Sequence, residues 1–244
     1  MERSKYIIAL AIVFISVVQL KASYKADIYN AYISSNMGKW KKVIDEMNQQ
    51  KIKSNEFVLE LLNYQYGYIA WCIGNDKDKL AEQYLELGFE NLEKLEKSAY
   101  KLSMVNAYKS AFYGYRIGIN PFKAPFIGPK SIDCAKLSIK QDEKNPFGYI
   151  QFGNAQFYMP AIFGGSKTVA IEYFSKAEKL MEIDAESIKF DWNYLSLVAL
   201  IGQAYSETKQ YNKAKEYFDK ILIVEPNYLW VKDELYPELL KKIN

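Results

Sequence analysis

The stretch from Tyr194 to Pro226 constrains this chain more than any other. Val198 is followed by Ile201-Gly202, then Tyr205, Ala214, Phe218 and Pro226. Small, aromatic and helix-ending residues at this spacing describe a helical hairpin. Gly202 lets a second helix come close, Tyr205 and Phe218 fill the space between the helices, and Ala214 is small where two backbones nearly touch. Pro226 ends the second helix because it has no N–H to donate. One hairpin cannot bury its apolar face alone, so neighbours of like build must flank it.

Those neighbours are legible upstream. A fourth unit, 146–184, opens on Pro146 at the first helical position and carries Tyr149, Phe152 and Gly153, then Ala170, Phe174 and Ala177. A third, 98–145, has Tyr113-Gly114, with Ser131, Ala135 and Ser138 on a second helix read as 130–140. A second, 60–97, has Tyr66-Gly67, a turn at Gly74-Asn75-Asp76 and an amphipathic helix with Leu80, Tyr84, Leu85, Leu92 and Leu95 on one side. The first, 24–57, places Ala31 at the glycine position, Gly38 at the turn, and Trp40, Val43 and Met47 inward. Unit five spans 194–228, and 229–244 reads as a two-part amphipathic cap. The expected fold class is therefore all-α, an α-solenoid of about five helical hairpins with a C-terminal capping helix. Gly114 to Ser131 and Gly153 to Ala170 are both 17 positions, against 12 from Gly202 to Ala214. Equivalent insertions in consecutive repeats lie along one edge, so the loops Gly118–Pro129 and Met159–Ser166 should touch.

The run Val198, Ile201-Gly202, Tyr205, Ala214, Phe218, Pro226 resembles the tetratricopeptide repeat (TPR) family, with Val198 where that pattern opens on Trp. The resemblance covers nearly all of the chain beyond residue 22 and is sharpest in units four and five. With the leader described next, the chain also looks like exported bacterial TPR proteins, including accessory components of tripartite solute transporters. The resemblance implies a binding scaffold rather than an enzyme.

Residues 1–22 read as a secretory signal peptide. Arg3 and Lys5 form a positive start, Tyr6 to Val18 is a short apolar run, and Ala22 offers a cleavage point. The repeat domain would then be 23–244, in the periplasm or cell envelope, with an uncleaved leader as the one route to a membrane. Net charge is +3; losing Arg3, Lys5 and Lys21 against Glu2 leaves +1, which argues against a nucleic-acid partner. The 244 residues include no histidine, which removes Ser-His-Asp, Cys-His and HExxH chemistry. Carboxylates are scattered without a pair suited to acid–base work, so catalytic and metal-binding residues are expected to be none, and cofactors none. Cys72 and Cys134 fall in different hairpins and read as inert thiols rather than a bridge.

In a repeat of this build, the first helices line a concave groove. That register offers Tyr64, Tyr68 and Trp71 from unit two, Tyr108 and Tyr115 from unit three, and Asn154 and Tyr158 from unit four. Such a wall suits a protein or peptide segment, the leading expectation, or a small organic anion bound by a periplasmic accessory of a solute transporter. The same spacing also fits rings that pack between helices. Arg116, the last arginine in the chain, fits a ligand carboxylate or phosphate, or an intrachain acid.

Overall fold

The computed structural model describes residues 24–243, so the signal-like segment lies outside the described residues. Among these residues the chain is helical throughout, with helices packed in consecutive hairpins. Hairpin one is α1 (24–33) and α2 (Met37–Gln49); hairpin two is α3 (Asn55–Gly74) and α4 (Asp78–Lys97). Hairpin three is α5 (Leu102–Ile119) and α6 (Ala124–Gln141), joined by a 3-10 turn at Pro121–Lys123. Hairpin four is α7 (Pro146–Tyr158) and α8 (Lys167–Met181), with a 3-10 turn at Ala161–Phe163. Hairpin five is α9 (Trp192–Glu207) and α10 (Tyr211–Val224). A π-helical stretch, Trp230–Leu235, leads into α11 (Tyr236–Ile243), where Pro237 withholds one backbone N–H at the join.

Side-chain oxygens start several helices where the chain must turn. Ser54, Asn145, Ser166 and Asp191 each accept a hydrogen bond from a backbone N–H in the first turn of α3, α7, α8 and α9. Two local expectations change. The first turn is Ser34-Ser35-Asn36, with Ser35 at φ 53° and Asn36 capping α2, so Gly38 lies inside the helix. Most of the expected loop Gly118–Pro129 is also helical. Pro125 sits in the first turn of α6, where N–H groups have no helical acceptor anyway, and Pro129 forfeits one further bond without ending the helix.

Within hairpin five the packing follows from the spacing. A Cβ added at Gly202 would lie 2.4 Å from the Phe218 ring, and Ala214 is fully buried beneath it. Gly67 stands at the matching place in hairpin two, yet another pair of rings fills its space. A Cβ there would lie 2.6 Å from Trp192 and 2.7 Å from Trp40. Trp192 opens α9, so hairpin five reaches across to hairpin two. Tyr32 of α1 joins the same cluster, 5.5 Å from Trp192 and 5.0 Å from Tyr228. Tyr29 donates a 2.8 Å hydrogen bond to Glu225. The array is closed on itself: its first and last hairpins touch.

Candidate functional site

Closure decides where the expected groove residues lie. Tyr68 and Tyr108 are 2% and 1% exposed, and Tyr64 is buried with them. Tyr108 donates to Asn63 at 2.9 Å, Tyr64 donates to Glu60 at 2.8 Å, and the Tyr64 carbonyl accepts from the Trp40 indole N–H. Burial pushes the Tyr108 hydroxyl well above the usual tyrosine range, and that of Tyr64 likewise. Trp71 is half-buried near the end of α3, packed on Tyr68 at 5.6 Å with Lys77 over its face. The middle of the concave side is thus occupied by the protein's own rings. The crevice left there, lined by Tyr66, Phe147, Ile150, Trp192 and their neighbours, has room for about one water molecule.

Towards the C-terminal ends of α5 and α7 the structure does bring sequence-predicted residues together. Tyr115 stacks on Tyr66, with centroids 5.6 Å apart, and donates to the Tyr66 carbonyl at 3.2 Å. Gln151 donates to the Tyr66 hydroxyl at 3.3 Å, and Asn154 donates to Gln151 at 3.1 Å, leaving the buried Asn154 Oδ1 without a partner. Tyr158 ends α7 beside this cluster. Its ring is 69% exposed, yet desolvation, with Tyr66 and Glu207 close by, pushes its hydroxyl up to about 12. Tyr66 and Gln151 belong to this cluster although the repeat pattern assigns Tyr66 to packing and gives Gln151 no role.

Arg116 has an intrachain partner. Its guanidinium pairs with Glu86 at 2.8 Å and lies 4.1 Å above the Phe89 ring. The surface pocket beside it, about 170 Å³ between Glu82, Leu85, Glu86, Ile119 and Lys123, is below the roughly 300 Å³ of ordinary ligand sites. Cys72 and Cys134 are unpaired, and burial raises both thiols. No cluster of acids and cysteines suited to a metal occurs among the described residues, and no described helix is long and apolar enough to cross a membrane.

Exposed apolar side chains occur in the turns of hairpins three and four, as they also do at Ile52, Ile183, Phe190, Ile223 and Val224. Phe122 is 90% exposed and Phe163 71%, with Phe126 and Ile162 exposed to a similar degree. Each loop is folded against its own hairpin: the first turn packs on α5 and α6, and in the second Ser166 N–H donates to the Gln156 carbonyl. The loops themselves carry no acid, but acids from other helices stand beside them: Glu207 pairs with Lys167, and Glu82 and Glu86 share a pocket with Lys123. No aspartate or glutamate occurs between Arg116 and Asp133 or between Glu143 and Glu172, while Lys123, Lys130 and Lys167 do. Lys167 stands 4.4 Å over the Phe157 ring and pairs with Glu207.

No protein-family model matches the chain, and no curated protein matches it. Among solved structures it is similar to the HusA haemophore from Porphyromonas gingivalis, with a TM-score of 0.62 and 19% identity, covering 77% of this chain and 94% of that one; the likeness is one of fold.

Proposed function

We propose that the protein is a non-enzymatic binding protein of the bacterial cell envelope, exported by its signal-like leader and built on TPR-like hairpins. A peptide in a concave groove and a small organic molecule were the two ligand classes open to the sequence. The geometry favours the second. One observation carries this: the concave centre is filled by Trp192, Trp40 and Tyr108, whereas Phe122, Phe126, Tyr158, Ile162 and Phe163 are exposed where hairpins three and four turn. Exposed apolar groups gathered in one region mark a binding surface more often than scattered ones do. Phenylalanine rings suit a flat apolar body, and lysines of the same two turns, Lys123 and Lys130 among them, suit anionic substituents. A porphyrin with carboxylate side groups has that chemistry, and the haemophore of like fold makes it the first ligand to try.

Metal-free protoporphyrin IX, titrated by absorbance, should give saturable binding. Phe122→Glu combined with Phe163→Glu should weaken it by about tenfold or more, with the helical signal and melting temperature unchanged. Absence of saturable binding, or indifference to the double substitution, would overturn the reading.

A further inference from the structure

We infer that one buried water molecule is a fixed component of the closed array, held between Trp192 and Asn193 at the start of α9. Its place is the crevice in the middle of the concave side, lined by Tyr66 of α3, Phe147 and Ile150 of α7, and Trp192, Asn193 and Ser196 of α9. Trp192 and Asn193 are 5% and 8% exposed. Yet the indole Nε1 and the Asn193 Oδ1 are buried without a hydrogen-bond partner among the described residues. The first is a donor only and the second an acceptor only, and folded proteins rarely bury either alone.

An ion does not suit this crevice. No charged side chain is among the residues lining it, and an unpaired charge is costly to bury. A dry crevice does not suit it either, because cavities that stay dry are apolar, and two lining residues here carry orphaned polar atoms. Water matches in size, since there is room for about one molecule, and in chemistry. It accepts from the Trp192 N–H and donates to Asn193 Oδ1, and the Ser196 hydroxyl on the same lining is an acceptor for its second proton. The Asn193 Nδ2 already donates to Asp191 at 2.9 Å, which fixes the amide and with it Oδ1. Cη2 and Cζ3 of the same indole face Gly67, so the water steadies the ring that joins hairpin five to hairpin two. The site does not depend on what the exposed phenylalanines bind.

Water-to-indole cross-relaxation in the 15N-labelled protein tests this by NMR. The Trp192 N–H should show a contact with a long-lived water, of the same sign as contacts within the protein. Trp40 is the control, because its indole donates to the Tyr64 carbonyl at 2.9 Å and should show no such contact. Asn193→Leu should abolish the Trp192 contact, whereas Ser196→Ala, which leaves both bridged atoms in place, should retain it. The two wild-type readings stand whether or not Asn193→Leu folds. No water contact at Trp192 in the wild type, an equal contact at Trp40, or a Trp192 contact that survives Asn193→Leu would overturn the proposal.

Discussion

The first helices of the hairpins carry aromatic residues to two places with opposite fates. In the middle of α3 and α5, Tyr68 and Tyr108 are almost wholly buried; at the end of α7 and in the loop beyond, Tyr158 and Phe163 are about 70% exposed. Residue type does not separate them. Position along the helix does, because the first and last hairpins meet over the middle and leave the edge uncovered. An open solenoid would have shown its first helices to a partner; this one shows the ends of its hairpins.

The comparison breaks most readily at Trp192. Trp192→Ala removes a buried indole and should cost about 3–5 kcal/mol, as should Phe218→Ala in the core of hairpin five. The two losses should differ in reach. In an open array, destabilisation passes only to nearest neighbours, and Phe218→Ala should loosen hairpins four and five and the C-terminal helix first. Trp192 touches Trp40 and Tyr66 directly, so its loss should also raise hydrogen exchange in hairpins one and two. Identical exchange footprints for the two variants would mean the ends do not hold each other.

Gly67→Ala comes next. Its methyl group would press on two indoles at once, an overpacking of about 1–3 kcal/mol measured by denaturant unfolding. A neutral outcome would show that Trp192 can withdraw at little cost. That glycine also marks how far the sequence could be read. Gly202 and Phe218 are separated by a spacing that fixes their contact within one hairpin, so that packing was legible, as was the two-part terminal helix around Pro237. Gly67 has the same local signature but a partner 125 positions away. No period in the chain encodes that distance. For the same reason the aromatic register gave the right helices for Tyr64, Tyr68 and Tyr108 without saying what covers them. Tyr115 and Asn154 are linked only through Tyr66 and Gln151, which the groove register did not announce.

A smaller, pH-dependent effect should mark the seam between hairpins four and five at Lys220. Lys220 bonds Glu178 at 2.8 Å and Glu182 at 2.6 Å, and Tyr194 donates to Glu182. Burial opposes the charge on Glu182, but the bonds from Lys220 and Tyr194 outweigh it and hold its carboxyl below the usual range. Burial likewise opposes the charge on Lys220, and its two carboxylates outweigh that, raising its ammonium above the usual range. A depressed acid contributes stability that is present above its ordinary pKa and lost as pH falls through the folded value. A raised base contributes stability below its ordinary pKa and loses it as pH climbs. The stability difference between wild type and Lys220→Met should therefore be widest near neutrality and narrow below about pH 4. A difference constant from pH 7 to 3 would show that Lys220 acts by packing alone.

The smallest expected change is at the edge itself, and it is the most telling. Phe122→Ser and Phe163→Ser remove large apolar groups that the fold does not use, so each should shift stability by no more than about 0.5 kcal/mol. Exposed phenylalanine that contributes nothing to folding is a standing aggregation liability, so the substitutions should also raise solubility. Set beside Trp192→Ala, they test whether the molecule divides into an aromatic part that holds it together and an aromatic part held out to solvent. A cysteine pair, one at Lys123 and one at Ile162, should then crosslink if the two loops form one continuous surface. A stability loss above 1 kcal/mol for either serine variant would assign those rings to the core and leave the edge without its binding surface.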